Sequence, residues 1–519
     1  MGKTRIEKPT FGTLRPKLIE SAGGVAGSSA KTATIRADSD ACENYETFSK
    51  SGKGSTRSVS RERASPYPSY ISLTKSTTLA QDTNHSEQRN RLFSEDWLAR
   101  NGHTFTFTGV FLFTLVLYFR PYELVPVLAG FHSMALIVAA ATLLIYLPTQ
   151  LKVEGNFTAL SMEVKCVLFI AAWALITIPL AKNPSLAWAT FTDTFIKVAL
   201  IFVVMANTLR TERRIKALMW LGVGVGMMLS WQAIALYEKG EFKTDGYRVS
   251  VDFGGMFGNP NDMSIHLVMF VPIAIALVAS SKSWIGKVIF LAGASIMTVG
   301  SLVTQSRGAF LGLLAAAVIL VWKLGRKARF KSMLVAASVG AVLLILAPGN
   351  YGLRILSIFI PSLDPVGSSG QRSELLIRSV IVSLRNPLGI GIGNFEMVGV
   401  FNLGTHNAYT QISAELGLLA FAAYLIFLIW PLRKLDFMEK QLFIAGDRSW
   451  NYYVSIGIQA SIAAYMVSSF FSSVAYQWYV YYPIAYAIGL RRLYHLGMTT
   501  ESERLVPKPF TRYQEVQHV

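Results

Sequence analysis

Cysteine is almost absent, with Cys42 and Cys166 the only two in 519 residues. That excludes a disulfide framework and a cysteine-based zinc site. Charge is scarce as well, at 15% of residues against roughly 25% in a soluble globular chain. Together with 52% hydrophobic residues and a mean hydropathy of +0.39, this excludes a soluble enzyme built of several globular domains. Nowhere do His, Asp and Glu gather at the spacing of an open catalytic metal site, so neither metal nor other cofactor is expected.

What the chain has is a sharp division. Residues 1–100 hold 26 Ser or Thr, 16 Lys or Arg and 11 Asp or Glu, a local charge of +5. They contain no apolar run of the 7–15 residues that a signal peptide needs. The expectation is a disordered, Ser/Thr-rich basic tail in the cytoplasm, followed by a membrane body over 101–495 and a short cytoplasmic tail over 496–519. The first apolar block, from Thr104, then serves as an uncleaved internal signal. The net charge of +18 is no nucleic-acid footprint, because outside the tail it sits mostly in short clusters between apolar blocks.

A helix crosses the ~30 Å hydrocarbon core in about 20 residues. That ruler places about 12 transmembrane helices, near 104–119, 124–147, 164–181, 186–207, 215–237, 263–281, 285–304, 309–323, 333–348, 410–432, 453–471 and 473–490. The break near Arg307 is required, since 285–322 as one helix would be roughly 57 Å long. With the tail inside, alternate loops hold Arg210, Arg213, Arg214 and Lys216; Lys282 and Lys287; Lys323, Arg326, Lys327, Arg329 and Lys331; Arg433, Lys434, Lys440 and Arg448; and Arg491 and Arg492. This is a sustained positive-inside pattern. The fold class is thus an all-α polytopic membrane protein.

The same alternation puts Glu238–Asp262, the Arg307 turn and a long loop over 349–409 on the outer face. Within that loop Leu376, Ile377, Val380, Ile381 and Leu384 recur at helical spacing, so Ser373–Arg385 reads as an amphipathic helix at the membrane surface. The outer segments carry Arg248, Arg307, Arg354, Arg372, Arg378 and Arg385, one histidine, His406, and the acids Asp252, Asp262, Asp364, Glu374 and Glu396. Outward arginines either snorkel and pair, as Glu374 and Arg378 can at i,i+4, or bind an anion, because guanidinium forks match phosphate oxygens. His406 is a candidate general base, with Gln411 and Glu415 one turn apart on the helix that follows it. Gly389-Ile390-Gly391-Ile392-Gly393 lacks the strand-before, helix-after setting of a dinucleotide loop and reads as a flexible turn. His266 reads as a satisfied helix histidine, and Asp193 with Lys197 as a neutralising i,i+4 pair.

Several of these elements occur together in a known order. Phe257-Gly258-Asn259-Pro260-Asn261, Ser306-Arg307-Gly308-Ala309, Arg372 followed by Asn386-Pro387-Leu388-Gly389-Ile390-Gly391-Ile392-Gly393-Asn394-Phe395, and His406-Asn407-Ala408-Tyr409 with Glu415-Leu416-Gly417 resemble the O-antigen ligase and O-antigen polymerase superfamily. The likeness covers roughly residues 250–430. It implies a GT-C-like membrane fold with a helical periplasmic loop, in the bacterial inner membrane, acting as a metal-independent inverting glycosyltransferase. It further implies an undecaprenyl-pyrophosphate-linked glycan as donor, and an acceptor glycan or lipid A core. By the same resemblance Arg307 and Arg372, with Arg248 and Arg378 as further candidates, hold the pyrophosphate, and His406 activates the acceptor hydroxyl. Asn407, Tyr409 and Glu415 support them. Leu375 and Leu376 stand where family members often carry a tryptophan, and the long tail has no counterpart in the pattern.

Two other classes compete. A secondary transporter or flippase also fits twelve spans, with Asp193 and Lys197 as its best argument, although transporters tend to place sites at mid-membrane within internal repeats and no repeat is evident. A sensor or scaffold acting through its tail is the other. Ligase and polymerase are not separated by sequence.

Overall fold

The computed structural model describes residues 103–120, 133–242, 247–251, 257–345, 351–357, 360, 368–399 and 402–505. The expected tail over 1–100, the outer acids Asp252 and Asp364 and the chain after 505 lie outside the described residues. Those described are helical, without a β-strand among them. In order the helices are α1 (Thr104–Phe119), α2 (Met134–Glu154), α3 (Met162–Thr177), α4 (Pro184–Thr208, with a π turn at Phe191–Phe195), α5 (Glu212–Glu238), α6 (Pro260–Ser280), α7 (Trp284–Val303) and α8 (Arg307–Leu324). Then come α9 (Arg329–Ile345), α10 (Tyr351–Leu356), α11 (Ser368–Arg385), α12 (Ala408–Glu415), α13 (Gly417–Ile444), α14 (Trp450–Ser468) and α15 (Tyr481–Leu505).

Among the described residues nine helices are long and apolar enough to cross a membrane, and α1 is a shorter apolar one. With α9 and α15 they account for all twelve expected spans. Apolar side chains such as Leu144, Trp284 and Phe330, each about three-quarters exposed, cover α2, α7 and α9, as a lipid-facing surface requires. The centre is α6 and α14, with 78% and 72% of their apolar windows buried, against 17% for α2. Gly308 and Gly312 let α8 lie against α14; a Cβ on Gly312 would meet Ser468 Oγ at 2.0 Å. Small residues four apart are a common way for membrane helices to approach closely.

Two expected spans are redrawn. The segment 410–432 is not continuous: α12 ends at Glu415, and Gly417, at φ +79°, restarts the chain as α13. The span expected at 473–490 begins only at Tyr481. Between them 472–480 is irregular yet largely buried. Non-helical backbone at such depth must be bonded within the protein, and here it is. Val474 O accepts from Tyr465 Oη at 3.3 Å, Ala475 O from Tyr481 Oη at 3.2 Å, and Ala475 N donates to Gln411 Oε1 at 3.3 Å. The aromatic rings that suggested a span instead pack sideways, Tyr476 on Phe195, Trp478 on Phe113 and Tyr479 on Phe257. Helix α15 also runs past 495, the expected end of the membrane body.

The loops sort into two ends in the expected alternation. At one end the basic clusters meet carboxylates: Arg210 and Arg492 with Glu154 at 2.5 and 3.3 Å, Arg491 with Glu163 at 2.5 Å, and Lys323 and Arg326 with Glu439, both at 3.0 Å. At the other end Lys182 N donates to Ile390 O at 3.0 Å, Arg248 Nε to Thr304 O at 3.0 Å, and His406 N to Ser473 Oγ at 2.8 Å. These are the segments expected outside.

The Glu163–Arg491 pair is almost wholly buried, at 0% and 7% side-chain exposure. Breaking a buried pair leaves one charge uncompensated and costs about 3–5 kcal/mol. Arg491→Met is therefore expected to lower the thermal midpoint of the detergent-purified protein, and Arg491→Met with Glu163→Met to recover much of the loss.

Candidate functional site

The site starts at the turn that sequence length demanded. Gln305 takes a left-handed φ of +52°, and Ser306 caps α8 by accepting the Ala309 N–H at 3.3 Å. Arg307 thereby becomes the first residue of α8, only 5% exposed, with Nε donating to Arg354 O at 3.1 Å. Ser306 Oγ and Arg248 Nη2 both donate to Asn261 Oδ1, at 3.0 and 2.7 Å. The Phe257–Asn261 motif is therefore what the arginine turn rests on.

Arg307, Arg372 and His406 line one cavity of about 230 Å³. Ser357, Ser373, Leu376, Thr405 and Asn407 complete its walls, and Phe470 and Phe471 close it with a pair of rings at 72°. The arginines come from α8 and α11, and the histidine from the loop before α12. Asn407 is the N-cap of α12, its Oδ1 accepting from Tyr409 N at 2.9 Å and Thr410 N at 3.1 Å. His406, immediately before it, has φ +50°. Burial and then the neighbouring Arg372 guanidinium hold its imidazole below the ordinary histidine value. The ring is thus neutral at neutral pH, the state in which it can accept a proton.

Other expected site residues fall elsewhere. Arg248 is not in the cavity wall; it lies behind the Arg307 turn, 4% exposed, bonded to Thr304 O and Asn261. Arg378 lies across α11 from Arg372, donates to Val398 O at 3.1 Å and lines a separate shallow depression with Glu374, Ile377 and Ile381. Tyr409 donates its hydroxyl to Met466 O at 2.7 Å, tying α12 to α14. Ser357, Thr405 and Phe470–Phe471 were not foreseen, because isolated Ser, Thr and Phe carry no spacing signal; only their places beside a helix end hint at them.

Glu415 works on the glycine segment. Its carboxylate accepts from Gly393 N at 3.0 Å and Phe395 N at 3.4 Å, while Ile390 N and Gly391 N donate to Ala414 O and Glu415 O at 3.0 and 2.8 Å. Gly389 has φ +90°, and a Cβ there would stand 2.3 Å from Glu415 O. The segment expected to be flexible is a fixed wrap around the end of α12, and glycine is needed for backbone approach rather than for mobility. Leu375, in the expected tryptophan register, is fully buried with Val382, Ile390, Phe395 and Ala414. His266 is enclosed by Tyr118, Phe257 and Phe270, ring centroids 5.3, 5.6 and 4.6 Å away. Asp193 and Lys197 pair at 3.9 Å on an exposed face, 76% and 43% open. Among the described residues no three His, Cys, Asp or Glu converge as a metal set.

Residues 292–425 match the family model described as O-antigen ligase. The matched segment, about a quarter of the chain, supports the likeness to the O-antigen ligase and polymerase superfamily. The ligase-type segment runs from mid-α7 into α13, so it holds Arg307, Arg372, His406 and Glu415 and leaves out Arg248, Phe470 and Phe471. No curated protein matches the chain. At the level the match carries, this is a membrane glycosyltransferase of the O-antigen ligase type.

Burial raises the Glu415 carboxyl to about 7, against the pull of the Gly393 and Phe395 amides and with a smaller push from Glu396. The folded state therefore keeps a proton that the unfolded chain releases between about 4.5 and 7, so stability falls as pH rises through that window. Thermal melting at pH 5 and pH 7.5 is expected to show a larger drop for the wild type than for Glu415→Gln, which has no such proton to lose.

Proposed function

We propose that the cavity binds the pyrophosphate of an undecaprenyl-pyrophosphate-linked glycan and transfers the glycan to an acceptor hydroxyl, as an O-antigen ligase or polymerase. The observation that carries this reading is the convergence of Arg307, Arg372 and His406 on one cavity, at the end where the expected outer loops gather. In this reading the two guanidiniums neutralise charge that grows on the leaving pyrophosphate as the bond to the anomeric carbon breaks. The neutral His406 imidazole takes the proton of the acceptor hydroxyl as its oxygen bonds that carbon from the opposite face, giving inversion. Arg248 acts one step back by bracing the Arg307 turn, and Arg378 by anchoring the loop at Val398; Asn407 and Glu415 hold the histidine loop and the glycine wrap.

The acceptor is another carrier-linked glycan or the lipid A core. The setting is a bacterial inner membrane with this cavity on the periplasmic side, the basic clusters of the opposite end facing the cytoplasm together with the tail over 1–100, as the positive-inside pattern supports. The transporter reading loses its best support, since Asp193 and Lys197 face outward from the bundle.

His406→Ala is expected to cut transfer by about 10²–10⁴-fold, the usual contribution of a positioned general base, with donor binding retained. Full glycan transfer by that variant in cells would remove the proposed base. Arg372→Glu is expected to weaken donor binding by about 10- to 100-fold, the equivalent of losing a charged hydrogen bond of ~1.5–3 kcal/mol, read from the donor KM in membrane vesicles. Undiminished binding would place the pyrophosphate elsewhere.

A further inference from the structure

The segment 472–480 joins the cavity to the core of the bundle through two adjacent serines. Ser472 Oγ donates to Asp262 Oδ1, in the first turn of α6, at 2.6 Å. Ser473 Oγ accepts the His406 N–H at 2.8 Å and lies 3.1 Å from Thr405 Oγ1. Thr405 Oγ1 in turn donates to Asn407 O at 2.8 Å. The protons balance along this row: Thr405 gives its hydroxyl hydrogen to Asn407 O, Ser473 gives its own to Thr405, and the remaining Ser473 lone pairs receive the His406 amide.

That amide belongs to a residue in the left-handed region, at φ +50°. A side chain other than glycine stays there only where its surroundings over-determine it. Ser473 supplies one such constraint from outside the loop, and Asn407 at the cap of α12 another from within it.

We infer that Ser473 is a positioning residue for His406, holding the backbone conformation that aims the imidazole into the cavity. The inference rests on the proposed role of His406 as base. Ser473 meets the histidine through its backbone and acts on the reaction through that geometry alone. Serving the same loop, Ser472 and Asp262 fix the serine pair against α6. The charged groups around the histidine loop are Arg372 on α11, Arg307 on α8, Glu396 beside Gly404, and Asp262 behind Ser472.

The test uses full-length protein in membrane vesicles, with an undecaprenyl-pyrophosphate-linked oligosaccharide from the host strain as probe. Ser473→Ala is expected to lower turnover at least tenfold with donor KM unchanged. It is also expected to move the acid limb of the pH–rate profile upward, because a released imidazole regains water and its ordinary basicity. Ser473→Thr, which keeps the oxygen, restores both. Wild-type turnover and acid limb in Ser473→Ala, a change in donor KM alone, or equal loss in the Ala and Thr variants would each overturn the inference. Where Ser473→Ala does not reach the membrane, Ser473→Cys, of similar size and weaker acceptor strength, is expected to shift the limb the same way, and wild-type behaviour there overturns it. His406→Ala, assayed beside them, separates the two ideas: full activity in it sinks the base, whereas inactivity beside an unaltered Ser473→Ala sinks only the positioning role.

Discussion

Backbone amides and carbonyls that lose water must find partners within the chain, and in an apolar slab nothing else is on offer. That constraint decides where this protein can afford irregular structure. It gathers turns at the two ends of the bundle, and where an irregular segment such as 472–480 is buried its carbonyls are taken up within the chain, here by Tyr465 and Tyr481. Since loops collect at the ends, the polar groups they carry collect with them. The cavity exists where five such segments meet.

Arginines tie segments together at both ends. At the basic end guanidiniums and Lys323 meet carboxylates of Glu154, Glu163 and Glu439, contacts that tie α15 to α2 and α3 and α8 to α13. At the cavity end Arg307, Arg248 and Arg378 donate to backbone carbonyls of Arg354, Thr304 and Val398. These carbonyl contacts orient the guanidiniums, and the serines, threonine and paired phenylalanines around Arg307 shape the cavity wall.

The short motifs turned out to hold one another. Asn261 receives both Ser306 and Arg248, so the motif before α6 supports the turn before α8. Glu415 and the backbone of α12 bind the Gly389–Phe395 wrap, so the motif after α11 is built on the helix that His406 precedes. Read along the chain, a run of glycines suggests mobility. In three dimensions the same glycines permit the closest backbone contacts in the loop.

Span positions, the break at Arg307, the amphipathic α11 and the alternation of basic loops were all legible in the sequence, because hydropathy and periodicity report burial over a few turns of one helix. Most of the twelve spans appear as helices with ends shifted by a few residues; the described part of the second is Met134–Glu154, the span near 410–432 is broken after Glu415, and the aromatic residues after Ser472 fold as a packed, irregular strap. Local sequence signature did not separate the six outward arginines; the motif resemblance pointed to Arg307 and Arg372, the two that line the cavity with His406. Arg307, Arg372 and His406 are 34 to 99 positions apart, and Arg248 and Arg378 have the same local signature. Their convergence itself comes from the packing of α8, α11 and the loop before α12, since a contact between distant segments depends on every helix crossing between them and leaves no period in the chain.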